Sequence, residues 1–288
     1  QEPLPLPHIA PHLTDYFYQT RNGKYSVSTI DRGIQTQIES LVERWNSEFK
    51  RSDIRNLAIL VIDIRTNQAI AYCGNVHFDK EQSGNQVDVI RSPRSILKPF
   101  LYYAMLQEGE ILPNTLLPDI PVNINGFTPQ NFNLQFEGAV PASEAIARSL
   151  NIPSVTMLQR YGVPKFHSFL KQIGLTTLNR PSSHYGLSLI LGGAEATLWD
   201  ITSAYANMGR SLNRLPQFPC TLLLSDSTSV HRPSFQSGAV WQTFDAIKEV
   251  NRPEEIDWRT IPSMQTIAWK TGTSYGFRDA WAVGVTPK

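Results

Sequence analysis

The sequence predicts an α+β fold in which an antiparallel sheet packs against a block of helices. Two observations predict it. Short β-type segments lie towards both ends of the chain, and the long stretch between them reads as helices that do not alternate regularly with strands.

Residues 1–12 hold Pro3, Pro5, Pro7 and Pro11 and read as an extended arm rather than a core element. After it, Ile34, Ile38, Leu41, Val42, Trp45 and Phe49 recur at three- and four-residue steps, a helical pattern beginning at Gly33. Asp31 stands just ahead, at that helix's positive end. Two apolar runs, 57–64 and 69–73, flank Arg65-Thr66-Asn67-Gln68 and read as a β-hairpin. A helix then starts near Ser95 and stops before Gly109. Residues 110–140, with four prolines and many asparagines, read as irregular. Helices follow over about 141–149, 153–161 and 164–173, with Pro153 and Pro164 near starts and Gly162 and Gly174 near ends. Thr197 and Asp200 form a capping pair for a helix over 197–208 that stops at Gly209. A helix over 235–249 leads to β-type segments at 264–270 and 280–285.

Composition narrows the function. The 288 residues carry 26 Lys+Arg against 25 Asp+Glu, a net charge of +1, and no basic stripe, so nucleic acid is not an expected partner. At 41% apolar and 18% charged residues the chain is globular, one large domain or one plus a small appendage. Cys73 and Cys220 form no CxxC and read as two buried thiols, or as a disulfide pair if the compartment is oxidising. The six histidines include no HxH or HExxH, and Pro7 and Pro11 disfavour a helix joining His8 to His12, so a zinc site is not expected. No apolar run approaches the ~20 residues a membrane helix needs. The chain starts at Gln1 and ends just after a strand-like segment, as expected of a piece of a longer protein.

Three short motifs carry chemistry. In Ser95-Ile96-Leu97-Lys98 the serine and lysine share one helix face, and Pro99 confines the helix start to their vicinity. Ser95 then sits near unpaired backbone N–H groups and the positive dipole end, a place for a hydroxyl that becomes an ester. A serine nucleophile needs a base. Lys98 can serve if burial and a second cation lower its proton affinity. Alone the motif says little, since average composition gives about one SxxK per chain of this size. Ser149-Leu150-Asn151 offers a hydroxyl and an amide from a turn, or is an ordinary helix stop. Lys270-Thr271-Gly272-Thr273 ends a strand-like run. There Lys270 offers a cation to a carboxylate, Thr273 a hydroxyl, and Gly272 admits a backbone or ligand closely. The trio in this order is far more specific than any one of its members, and the grouping is a known signature of penicillin-binding proteins and serine β-lactamases.

The segments around these motifs strengthen the likeness. Arg91-Ser92-Pro93-Arg94-Ser95-Ile96-Leu97-Lys98-Pro99-Phe100 resembles the nucleophile segment of class A penicillin-binding proteins. The stretch from Ser143 to Val155 is similar to their second motif with its flanks. Trp269-Lys270-Thr271-Gly272-Thr273-Ser274 followed by Arg278-Asp279-Ala280-Trp281 is similar to their third. Ser28-Thr29-Ile30-Asp31, Tyr185-Gly186-Leu187-Ser188-Leu189 and Leu191-Gly192-Gly193-Ala194-Glu195 extend the resemblance over about residues 28–285, with Ser92-Pro93-Arg94-Ser95 and the Leu-Gly-Gly-Ala-Glu stretch most like the 1C subgroup.

The resemblance implies a penicillin-binding protein/β-lactamase-like transpeptidase fold. It implies an arm over 1–27 leading from an N-terminal domain and a transpeptidase domain over 28–288 that lacks its last strand. It implies a D,D-transpeptidase that cross-links peptidoglycan stem peptides. Ser95 is then the nucleophile, Lys98 its base, and Ser149, bridging towards Lys270, the donor to the leaving D-alanine. Asn151 binds substrate and steadies Lys98, and Lys270, Thr271 and Thr273 take the terminal carboxylate beside Gly272. The N–H groups of Ser95 and Thr273 form the oxyanion hole. No metal or organic cofactor is implied. Expected partners are stem peptides, β-lactams and other cell-wall synthesis proteins, at the periplasmic face of a bacterial inner membrane, with the membrane touched only through an N-terminal anchor outside this sequence. One departure stands out: the middle residue of the second motif is Leu150, where β-lactamases usually have Asp. Rival expectations are a D,D-carboxypeptidase or β-lactamase, and a sensor acylated at Ser95 without turnover.

Overall fold

The computed structural model of the chain describes residues 9–22, 24–76, 84–226, 235–249, 266–274, 276 and 278–286. The prolines expected to extend residues 1–8, and the first residues of the strand expected over 264–270, lie outside them. The chain divides into two compact units, 1–89 with 197–206 and 218–231, and 90–196 with 207–217 and 232–288.

The first unit is built on a hairpin of β1 (Ile59–Asp63) and β2 (Gln68–Cys73), paired antiparallel with a bulge at Val61/Ile62. Asn67 closes its turn at φ 58°. Helix α2 (Arg32–Lys50) packs on β2, and Asp31 caps it by accepting from Ile34 N at 2.9 Å. Its apolar stripe only partly matches its buried face: Val42 is buried but Leu41 and Trp45 are exposed, and the polar Gln35 and Asn46 are buried. The reason lies in β2, whose edge presents bare peptide groups. The Gln35 amide answers them as another strand would, accepting from Tyr72 N at 2.8 Å and donating to Tyr72 O at 3.1 Å.

The extended-arm reading fails from residue 10 onward. Helix α1 (Pro11–Arg21) begins there with proline in its first turn, where the missing N–H costs nothing, and Ala10 and Leu13 join the core of this unit. Glu39 accepts from Ala10 N at 3.0 Å and fixes the helix entry. Cys73 and Cys220 are both buried free thiols, bonded at 3.2 Å and 3.1 Å to Asn75 O and Asn67 Oδ1.

The second unit surrounds one helix. A 3-10 turn over Arg94–Leu97 runs into α3 (Lys98–Gln107), whose residues from Lys98 to Met105 are all buried. A helix apolar all round has to be enclosed. Helices α4 (Ala142–Ala147), α5 (Asn151–Tyr161), α6 (Val163–Gln172) and α9 (Ser237–Ile247) enclose it. The short α7 (Ser182–Tyr185) packs on α6. Helix α8 (Leu198–Leu212) gives its first residues to the first unit and its last to the second. Thr197 Oγ1 caps α8 by accepting from Asp200 N at 3.0 Å. Gly209 does not stop it. The helix runs to Leu212 and ends where Arg214 turns left-handed, with Leu215 N donating to Arg210 O at 3.0 Å.

The stretch read as irregular holds two strands, β3 (Leu116–Asp119) and β4 (Gly138–Pro141), paired antiparallel. Strands β5 (Ala268–Thr273) and β6 (Ala280–Val285) pair in the same sense and pack against the 3-10 turn and α9. The α+β class holds, but among the described residues the strands form three two-stranded ladders and not one sheet drawn from both ends of the chain. Local turns dictate hairpins, whereas alternation alone names no distant partner. Among the described residues no helix is long and apolar enough to cross a membrane.

Candidate active site

All three motifs lie in the second unit. Pro99 occupies the first turn of α3, so that helix starts at Lys98 and Ser95 falls in the 3-10 turn before it. Ser95 is half-buried, and Lys98 is wholly buried. The residue ahead of the serine, Arg94, has φ 42°, a left-handed value uncommon outside glycine.

The second motif is a sharp reversal between two helices. α4 stops at Ala147, Ser149 turns left-handed at φ 58°, Leu150 is extended and α5 begins at Asn151. The reversal aims several acceptors at one amine. Lys98 Nζ donates to Ser149 O at 2.7 Å, Asn151 Oδ1 at 2.8 Å, Leu150 O at 3.2 Å and Ser149 Oγ at 3.4 Å.

The third motif comes from β5. Lys270 and Gly272 face inward, whereas Trp269, Thr271 and Thr273 take the alternate face, both threonines being exposed. Lys270 Nζ, only 1% exposed, donates to Ser149 Oγ at 2.9 Å and to Thr271 O at 2.8 Å. The Ser149 hydroxyl therefore lies between the two amines. Gly272 is needed for closeness: a Cβ there would lie 2.7 Å from Pro93 O and 3.0 Å from Ile96 Cγ1. Ser274 N donates to Asp279 O at 2.8 Å, so the next pair inward, Thr273 and Ala280, is a non-bonded pair. The Thr273 N–H accordingly points off the free edge of β5, away from β6.

The geometry thus joins Lys98, Ser149, Asn151 and Lys270 in one hydrogen-bonded cluster, with Gly272 packed on the 3-10 turn that holds Ser95. Ser95 is three residues from Lys98, but among the described residues its hydroxyl makes no hydrogen bond. Lys98 is turned to Ser149 and Asn151 instead. The hydroxyls of Thr271 and Thr273 lie on the face of the ladder opposite Lys270.

Electrostatics set the protonation states. Burial pushes Lys98 well below the ordinary lysine range, and the neighbouring Lys270 and Arg94 charges push it further. Burial alone lowers Lys270 to about 7. One amine can be free base while the other keeps its proton, a base and a cation linked by a hydroxyl that can pass a proton between them.

Sequence reasoning missed Asn131. It is buried in the stretch read as irregular, and its Oδ1 accepts from Asn151 N at 2.9 Å and Ile152 N at 3.3 Å. It thereby caps α5, whose own N-cap position is Leu150 with no capping side chain. Its Nδ2 donates to the buried Asp119 Oδ1 at 2.7 Å and to Gln135 O at 3.0 Å. Asn151 Nδ2 donates to Gln130 O at 2.8 Å, which leaves its Oδ1 turned to Lys98. The only signal in the sequence was the absence of a capping residue before α5.

Comparison with known proteins identifies the family. The family model described as the penicillin binding protein transpeptidase domain matches residues 57–288. Penicillin-binding protein 1C of Escherichia coli (strain K12) is 34% identical over 291 residues, covering 99% of this chain and 36% of that protein. The chain spans about a third of the length of the curated relatives it matches. Among solved structures, the transpeptidase domain of Burkholderia pseudomallei penicillin-binding protein 3 superposes with a TM-score of 0.73 at 18% identity, covering 91% of this chain and 84% of that one. The penicillin-binding protein PonA1 from Mycobacterium tuberculosis gives 0.74 at 18% identity, covering 97% and 79%. These two likenesses show the fold.

Proposed function

The chain belongs to the penicillin-binding protein transpeptidase family, and from this we propose that it is a serine D,D-transpeptidase acting through an acyl-enzyme on Ser95. The observation that supports this reading best is the Ser149 hydroxyl held at 3.4 Å and 2.9 Å from the buried amines of Lys98 and Lys270.

In this reading Lys98, as free base, takes the Ser95 proton while Ser95 Oγ attacks the carbonyl between two D-alanines of a stem peptide. Lys98 Nζ is bonded to Ser149 and Asn151, and its hydrogen bond to Ser95 forms in the substrate complex, as is common for catalytic contacts. The N–H groups of Ser95 and Thr273 steady the oxyanion. The C–N bond breaks, the proton passes through Ser149 to the amine of the leaving D-alanine, and Ser95 carries the acyl group. The exposed Thr271 and Thr273 hydroxyls take the terminal carboxylate, and Lys270, on the opposite face beside Ser149, contributes its buried positive charge. An amine of a neighbouring stem peptide then attacks the ester, forming the cross-link and freeing Ser95. A β-lactam acylates the same oxygen because its amide and carboxylate imitate the dipeptide. The proposal extends to location and organisation: a catalytic domain over 28–288 at the periplasmic face of a bacterial inner membrane, led by residues 1–27 and working with other cell-wall synthesis proteins.

The acceptor separates this reading from its hydrolytic rival. Given a stem-peptide thioester and a D-amino acid, the chain is expected to release the exchanged amide, read by mass spectrometry. Release of free acid alone would make it a carboxypeptidase, and acylation without either product a sensor.

A further inference from the structure

Two features whose hydrogen bonds the chemistry above does not use, the residue before the nucleophile and the 191–193 loop, meet each other. Gly192 has φ 117° and no space for a side chain: a Cβ there would lie 2.6 Å from Arg94 Cγ and 2.9 Å from both Arg94 Nε and Ser92 Oγ. Arg94 Nε donates to Leu191 O at 2.7 Å, and its Nη1 donates to Thr273 O at 3.0 Å. Ser92 Oγ closes the same contact by donating to Gly192 O at 2.8 Å. Arg94 pays for this reach with a left-handed backbone that glycine would adopt freely. What the position gains from arginine is the side chain, a planar fork able to bind two carbonyls at once.

We propose that Arg94 is a positioning residue for acylation, its guanidinium stapling the Thr273 end of β5 and the 191–193 loop to the nucleophile turn and so setting the spacing of the Ser95 and Thr273 N–H groups. The proposal rests on Ser95 being the nucleophile. It carries an electrostatic consequence as well. The charged groups acting on Lys98 are Lys270 from β5 and Arg94 from its own turn, both of which lower its proton affinity, while Ser149, Leu150 and Asn151 offer neutral acceptors. Arg94 therefore widens the pH range over which Lys98 is free base.

The test compares the native chain with Arg94→Lys and Arg94→Gln. The second-order rate of acylation by a fluorescent penicillin is followed from about pH 5 to about pH 9, with a thermal melt of each protein. Arg94→Lys keeps the charge but cannot bridge both carbonyls. It is expected to slow acylation about 10-fold, equivalent to losing about one charged hydrogen bond, with the acid limb of the profile unmoved. Arg94→Gln is expected to slow it at least as much and to move the acid limb to higher pH. Native rates and limbs in both variants would overturn the proposal. So would rate losses that only follow a lowered melting temperature, with neither limb displaced, because Arg94 would then serve stability alone. A native chain that takes no label, or a Ser95→Ala variant that keeps it, would instead bring down the nucleophile assignment and this proposal with it.

Discussion

A Lys98→Met variant is expected to be acylated by a penicillin about 10²- to 10⁴-fold more slowly than the native chain, the span that loss of a general base costs. Lys98 is wholly buried at the start of α3 and surrounded by oxygen acceptors from Ser149, Leu150 and Asn151. Its charged form is disfavoured by burial first, then by Lys270 and Arg94. The amine is thereby prepared to accept the Ser95 proton, and methionine fills a similar volume without being able to do so. Removing the lysine leaves those buried acceptors without their donor, which is expected to cost about 1–3 kcal/mol of stability. A stopped-flow rate beside a thermal melt separates chemistry from folding. The native rate is expected to fall as pH drops and Lys98 takes a proton, and the variant is expected to lack that limb. A near-native rate with the acid limb intact would remove Lys98 from the role of base.

Lys270→Met is expected to lower kcat/KM for a carboxylate-bearing substrate by about 10²- to 10³-fold, as loss of one partner of a buried charge pair does. The native profile is expected to fall on the alkaline side as Lys270, lowered to about 7 by burial, gives up its proton. The variant is expected to lose that descent. Stability moves the other way. The folded-state value lies below the unfolded value of about 10.4, so between the two the unfolded chain binds more protons, and stability rises with pH across that window. The penalty is full below about pH 7 and gone above about pH 10. At about 1.4 kcal/mol per unit it is on the order of 5 kcal/mol for this nearly inaccessible amine. Denaturant titrations at about pH 7 and about pH 9 are expected to show the native chain gaining stability and Lys270→Met gaining less. Equal slopes in both proteins would mean that Lys270 is not the group responsible.

The sequence displayed the parts of the site whose partners are close in the chain. The Ser95–Lys98 spacing and Pro99 locate Ser95 at a helix start because i, i+3 geometry and proline's missing N–H act locally. Asp31 and Thr197 announced their caps for the same reason. Gly272 pointed to a close approach, though not to what approaches. The convergence of Lys98, Ser149 and Lys270 came from motif resemblance, since no local rule brings residues 121 positions apart together.

Long-range satisfaction of polar groups was not legible. Asn131 lies 20 positions before the backbone N–H it caps, and in a stretch of Pro and Asn it reads as one more turn residue. Gln35 belongs on the buried side of α2 only because β2 presents bare peptide groups, which is why Leu41 and Trp45 are exposed against the hydrophobic pattern. Arg94 stood in the sequence only as part of the segment that resembles the 1C subgroup. Its use depends on a loop 97 positions away and a strand 179 positions away.

The sharpest check on Ser95 as the acylated residue is where a covalent label lands. The chain is incubated with a penicillin, digested, and its peptides are sequenced by tandem mass spectrometry, with Ser95→Ala treated in parallel. The mass of the opened β-lactam is expected on Ser95 and absent from the variant. An adduct on any other residue, or one that persists after Ser95→Ala, would refute the assignment and the mechanism built on it.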